Sequence, residues 1–226
     1  MLFRSLCFEQ VLTADELSLI TSSIDNAEFV DGKLTAGWFA KQVKNNKQLS
    51  RNNSVDKELQ SIITEALKRN HLFQAAVRPK IIRPTIFNCY EVGMYYEAHT
   101  DNALMGKENP MRSDVSFTLF LNSPISYKGG ELFIDTSLGE QGFKLEAGSM
   151  IVYPSTTIHR VEKVTEGKRL AAVSWVQSFV RDASKREILF DLDTAKKVMY
   201  QKDGKTPEFD LIAKTHANLL RKWVEA

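Results

Sequence analysis

From about residue 77 the hydrophobic pattern changes period, from helix-like to strand-like, and glycine and proline begin to punctuate it. No other feature restricts the fold as much. The segments 81–91, 94–100, 114–122, 131–135, 142–145, 149–153, 158–164 and 168–178 read as candidate strands, separated by turn signals. About eight short strands of this kind suggest a sandwich, a barrel or a jelly roll. In the run 114–121, Val115, Phe117, Leu119 and Leu121 fall on one face and Ser116 and Thr118 on the other. One face therefore belongs to a core, and the other lines something more polar.

The flanks read differently. The first 70 or so residues look helical with loops. Thr13 and Glu16 have capping-box spacing, and Leu17, Ile20 and Ile24 keep helical period, which gives a helix near 14–26. A second helix follows Ser54, with Leu59, Ile62, Ile63, Ala66 and Leu67 on one stripe and Asn70 as its stop. Asp31-Gly32 and Ala36-Gly37 are turn signals between them. After Arg181 the helical period returns through Ile188, Leu189, Leu192 and Ala195, and a last helix is expected from about 208 to 224. The expected class is α+β, with a helical region 1–77, a jelly-roll domain 78–178 and a helical region 179–226. The terminal helices offer a surface through which a homo-oligomer could form.

Charge and hydropathy remove several function classes. Thirty basic against 28 acidic residues leave a net charge of +2, too even for the one-signed field of a non-specific nucleic-acid binder. No apolar run approaches the ~18 residues of a membrane span, and Met1-Leu2-Phe3-Arg4 is not followed by the apolar stretch of a secretion signal. The expected location is the cytoplasm. Cys7 and Cys89 lie far apart in apolar company, which favours buried thiols.

The chemistry-bearing residues sit within the strand region. His99-Thr100-Asp101 places an imidazole and a carboxylate two residues apart, on one face if the segment is a strand. Alone this pair is a weak signal. His159, separated from Asp101 by 57 intervening residues and in another strand-like segment, completes two histidines and a carboxylate, the facial set preferred by non-haem Fe(II). Arg169 opens the next strand, and on a strand adjacent and antiparallel to that of His159 its planar fork could hold a dicarboxylate whose other end chelates the metal. His71, after the second helix, and His216, on an apolar helix stripe, read as structural. Lys44-Asn45-Asn46 reads equally well as a loop facing the mouth of the site or as a polar turn.

The chain resembles the 2-oxoglutarate/Fe(II) dioxygenases of the prolyl and lysyl hydroxylase superfamily, above all the bacterial PKHD-type hydroxylases, a group associated with iron uptake. The resemblance rests on Phe29-Val30-Asp31-Gly32-Lys33-Leu34-Thr35-Ala36-Gly37, Val43-Lys44-Asn45-Asn46, Phe87-Asn88-Cys89-Tyr90, His99-Thr100-Asp101-Asn102-Ala103, Gly129-Gly130-Glu131-Leu132, Tyr153-Pro154 through His159-Arg160-Val161, and Trp175-Val176-Gln177-Ser178. It extends over the chain to about residue 200. It implies a double-stranded β-helix, Fe(II) on His99, Asp101 and His159, and 2-oxoglutarate on Arg169, with Tyr90 reaching the cosubstrate from an adjacent strand. It further implies an oxidoreductase that hydroxylates an organic substrate with release of succinate and CO2, and that ascorbate (vitamin C) helps to keep the iron reduced. The substrate is left open between a peptidyl prolyl or lysyl side chain and a siderophore-like molecule. Phe120 departs from the pattern, since some animal prolyl hydroxylases place a tyrosine there, and Ser116 or Thr118 is the expected substitute. Two other readings compete. An alkylation-repair dioxygenase would carry a second arginine where Trp175 stands. A cupin-like protein would bind metal or 2-oxoglutarate as a sensor, without turnover.

Overall fold

A computed structural model describes residues 5–25, 27–35, 37, 40–51, 54–106 and 108–225. Asn26, at the expected end of the first helix, Ala36 of the second turn signal, Met1-Leu2-Phe3-Arg4 and Ala226 lie outside the described residues. The chain runs β1 (Leu6–Phe8), α1 (Ala14–Asp25), β2 (Phe29–Asp31), α2 (Ala40–Val43), β3 (Lys44–Asn45), β4 (Lys47–Leu49), α3 (Ser54–Arg69), α4 (His71–Val77), β5 (Pro79–Ile82) and β6 (Ile86–Tyr90). It continues through β7 (Tyr95–His99), β8 (Leu104–Met105), β9 (Met111–Arg112), β10 (Val115–Phe120), β11 (Tyr127–Lys128), β12 (Leu132–Thr136) and β13 (Gly139–Phe143). The last elements are β14 (Met150–Pro154), β15 (His159–Val161), β16 (Glu166–Gly167), β17 (Arg169–Ser178), α5 (Ala183–Asp203) and α6 (Pro207–Trp223).

Two antiparallel sheets build the jelly roll. One has the order β1-β14-β10-β17-β6-β4-β2, with β5 also on β17, and the other the order β13-β12-β15-β7-β3. Strand alternation divides the larger sheet into two faces. Outward, Phe117, Leu119, Leu170, Ala172, Phe87, Cys89, Met150 and Val152 pack with Ile20, Ile24, Leu59, Ile63, Ala66 and Phe73 of the helices. Each fully buried Leu or Phe of this core contributes about 1.5–3 kcal/mol. Inward, Tyr90, Phe120, Ile151 and Tyr153 meet Leu132, Ile134 and Val161 of the smaller sheet. The alternation expected over 114–121 is therefore realised, and the face of Ser116 and Thr118 is the one turned between the sheets.

The helices follow their caps. Thr13 N donates to Glu16 Oε2 at 2.9 Å and Glu16 N to Thr13 Oγ1 at 3.2 Å, the reciprocal box expected at the start of α1. Asp182 accepts from Lys185 N at 2.9 Å before α5, and Thr206 from Phe209 N at 3.2 Å before α6. Asn70 does end α3, but its Oδ1 also accepts from Phe73 N at 2.9 Å and starts the unforeseen α4.

Several expectations need correction. The first 70 residues are not only helical: β1 pairs with β14, β2 with β4, β4 with β6, and β3 with β7, so this segment extends both sheets. The strand expected over 81–91 is broken into β5 and β6 around Pro84, which has no N–H to give to a ladder. Cys89 is buried but Cys7 is exposed, because the edge strand β1 turns it away from the core. Among the described residues no helix is long and apolar enough to cross a membrane.

Candidate active site

His99 closes β7 and His159 opens β15, and the two residues are direct cross-strand partners. Their ring centroids are 4.3 Å apart. Asp101 lies just beyond the end of β7 rather than within a strand, yet its Oδ2 is 3.8 Å from His159 Nε2. One donor atom from each of the three residues lies within 4.8 Å of the others.

Backbone and side-chain contacts orient each donor. His99 Nδ1 is 2.8 Å from Glu97 O and His159 Nδ1 is 3.0 Å from Thr157 O. A carbonyl only accepts, so each Nδ1 carries the proton and each Nε2 keeps its lone pair. Burial, followed by the neighbouring His159, pulls the His99 pKa down to about 4, which keeps the ring neutral at pH 7. Ser116 Oγ donates to Asp101 Oδ2 at 2.5 Å and lies 2.7 Å from Ser155 Oγ. Ser116 is thus engaged with the carboxylate of the triad. Tyr96 stacks on His99 with ring centroids 3.6 Å apart, and Tyr153 meets His159 edge-on at 5.0 Å.

Arg169 faces this group from the other sheet. It sits on β17, beside Tyr90 of β6, so the adjacency to the strand of His159 that the sequence left as a condition is not met. The two residues oppose each other across the gap because β15 and β17 belong to different sheets. Arg169 is 1% exposed and lines the same cavity as His99, Asp101 and His159. Its guanidinium carbon lies 5.2 Å from the Tyr90 ring centroid and 5.4 Å from that of Phe120. Among the described residues its Nε and Nη2 are buried without a well-formed hydrogen bond, as is the hydroxyl of Tyr127, which is close enough for Arg169 to oppose the rise that burial gives the Tyr127 pKa. Gly130 leaves room for this side chain, since a Cβ there would stand 3.1 Å from Arg169 Cδ at a φ of +69°. Burial raises the Tyr90 pKa, and the charge of Arg169 opposes that rise.

Lys44 answers the question the sequence left open. On β3, paired with β7, it is 8% exposed and lines the cavity, with Nζ 5.4 Å from the Tyr96 ring centroid. Asn46 is not at a mouth but buried, donating to Asn88 Oδ1 at 3.0 Å. Thr118 lines the cavity together with Tyr153. His216 is buried with Nε2 3.0 Å from Arg78 Nη2, and exposed His71 opens α4, so both stay outside the site, as the sequence suggests. The sequence reading missed Tyr96, Tyr127 and Tyr153. The position of Tyr96 three residues before His99 offered a faint signal, Tyr153 entered only within the Tyr153-Pro154 block of the resemblance and without a role, and nothing marked Tyr127.

Residues 85–177 match the 2OG-Fe(II) oxygenase superfamily and residues 183–225 the PKHD-type hydroxylase C-terminal domain. The chain is 56% identical over 221 residues to a PKHD-type hydroxylase of Synechococcus sp. strain JA-3-3Ab, covering 97% of this chain and 99% of the relative. It is 57% identical over 215 residues to one of Gloeothece citriformis, covering 95% and 97%. In fold it is similar to a Pseudomonas putida prolyl-4-hydroxylase, with TM-score 0.54 and 17% identity over 77% of this chain and 92% of the other. A prolyl hydroxylase from Trichoplax adhaerens, solved with a hypoxia inducible factor peptide fragment, gives TM-score 0.56 and 15% identity over 81% and 86%.

Proposed function

This chain belongs to the PKHD-type hydroxylases of the 2OG-Fe(II) oxygenase superfamily, and we propose that His99, Asp101 and His159 hold its Fe(II) while Arg169, flanked by Tyr90, holds 2-oxoglutarate. The protein is an oxygenase of the hydroxylase type, and the residue roles are the inference. One observation carries them: a fully buried guanidinium, with Nε and Nη2 lacking a well-formed partner among the described residues, shares a cavity with the two-histidine, one-carboxylate set. Leaving a buried charged donor unsatisfied costs about 1–3 kcal/mol or more. A dicarboxylate with one end on Arg169 and the other toward the triad removes that penalty, and its chemistry suits a planar fork.

When bound, Fe(II) and 2-oxoglutarate supply the O2-dependent oxidation of a C–H bond with release of succinate and CO2, chemistry that no side chain here can perform. The chain's own residues bind and orient. Glu97 O and Thr157 O fix the imidazole tautomers, and Ser116 fixes Asp101. The Tyr90 and Phe120 rings flank the guanidinium, with the guanidinium carbon 5.2 and 5.4 Å from their centroids. Thr118 lines the same cavity, while Ser116 is engaged with Asp101. The family favours turnover over a silent cupin-like sensor, and an organic substrate of prolyl or lysyl type is the reading its relatives support.

Asp101→Ala is expected to abolish stoichiometric Fe(II) binding, measured by equilibrium dialysis under anaerobic conditions, while the melting curve stays cooperative. Iron retained at one equivalent would remove Asp101 from the ligand set.

A further inference from the structure

The cavity contains a second buried cation with no anion assigned to it. Lys44 is 8% exposed, and among the described residues no carboxylate lies within ion-pair distance of its ammonium. The charges that act on it are Asp31, at the surface, and Asp101, already held by Ser116. Its ring neighbour is Tyr96, which in turn stacks on His99. Arg169 belongs to a different end, among Tyr90, Phe120 and Tyr127. The two cations therefore address different parts of one cavity.

Charge bookkeeping then makes a demand. With the divalent iron, the Asp101 carboxylate, the Arg169 guanidinium and doubly charged 2-oxoglutarate in place, the site is neutral without Lys44 and carries one excess positive charge with it. An uncompensated charge is expensive in a buried site, and pairing it relieves that cost. Desolvation by burial already draws the Lys44 pKa down to about 8.

We propose that Lys44 is a specificity-determining residue that binds a carboxylate of the primary substrate on the Tyr96 side of the triad. The proposal rests on the assignment of Arg169 to 2-oxoglutarate, which leaves Lys44 free for another anion. It narrows the substrate class to molecules bearing an acid group close to the reacting carbon, such as a C-terminal residue or an acid-bearing small molecule.

The test uses the anaerobic Fe(II)–2-oxoglutarate holoenzyme and a panel of N-acetylamino acids with their matching amides, N-acetyl-L-proline and N-acetyl-L-prolinamide among them. Binding is read by equilibrium dialysis and by the shift of the visible absorption band. The expected result is that at least one acid binds ten-fold or more tightly than its amide. Lys44→Met should erase that preference, Lys44→Arg should keep part of it, and both variants should bind 2-oxoglutarate within about two-fold of the parent. A panel without any acid-over-amide preference, or a preference that survives Lys44→Met, overturns the proposal. So does a loss of 2-oxoglutarate affinity in Lys44→Met, which would make Lys44 a cosubstrate residue. Absence of the band in the unmodified holoenzyme instead contradicts the cosubstrate assignment itself, so the two failures are distinguishable.

Discussion

At the scale of single residues, Arg169 is the most informative side chain. A guanidinium buried to 1% exposure normally has its donors paired, yet Nε and Nη2 here have no well-formed partner among the described residues. Charged hydrogen bonds of this kind are worth about 1.5–3 kcal/mol. Arg169→Ala should therefore weaken 2-oxoglutarate binding roughly 10- to 100-fold while iron still binds at one equivalent. Calorimetric titration of both ligands checks this, and loss of iron with retained cosubstrate would make Arg169 structural. His99, Asp101, His159 and Arg169 were legible in the sequence because donor chemistry and spacing travel with residue type. The supporting contacts were not. Tyr96 on His99, Ser116 on Asp101 and Lys44 in the cavity depend on where a backbone places a side chain, which no residue type announces.

At the scale of elements, legibility follows length. Helices α1, α3, α5 and α6 carry several turns of periodic pattern, and the Thr13 cap of α1 was read from its spacing to Glu16, whereas the Asp182 and Thr206 caps of α5 and α6 emerge in the structure. Strands β2, β3 and β4 have two or three residues each, too few to show a period, and they were read as loops and helix ends. β3 and β4 depend on distant partners in β7 and β6, and β2 depends on β4. The cap of α1 permits a test of the local account. Thr13→Ala removes the hydroxyl that accepts from Glu16 N, while Glu16 keeps its ion pair with Arg69. A loss of about 1 kcal/mol is expected, lowering the melting temperature by about 2–4 °C in a chain of this size, with Fe(II) binding unchanged. An unaltered melting curve would show that this helix start adds nothing to global stability.

At the scale of the whole molecule, the site exists because two sheets face each other. The smaller sheet presents the histidines of β7 and β15, and the larger presents Arg169 on β17 and Tyr90 on β6. His159 and Arg169 are close in sequence but reach the cavity from opposite walls, which is why the condition of neighbouring strands is not met. Pairing order is non-local: β17 takes β10 and β6 as neighbours, and no period within β17 encodes that choice. A jelly roll could be expected from strand number and turn spacing, whereas its pairing could not. The central claim, that one cavity joins an iron triad to an arginine-held 2-oxoglutarate, is tested most directly by visible spectroscopy of the anaerobic protein. Adding 2-oxoglutarate to the Fe(II)-loaded chain should produce a weak metal-to-ligand charge-transfer band that saturates at one equivalent. No band, with iron demonstrably bound, would contradict it.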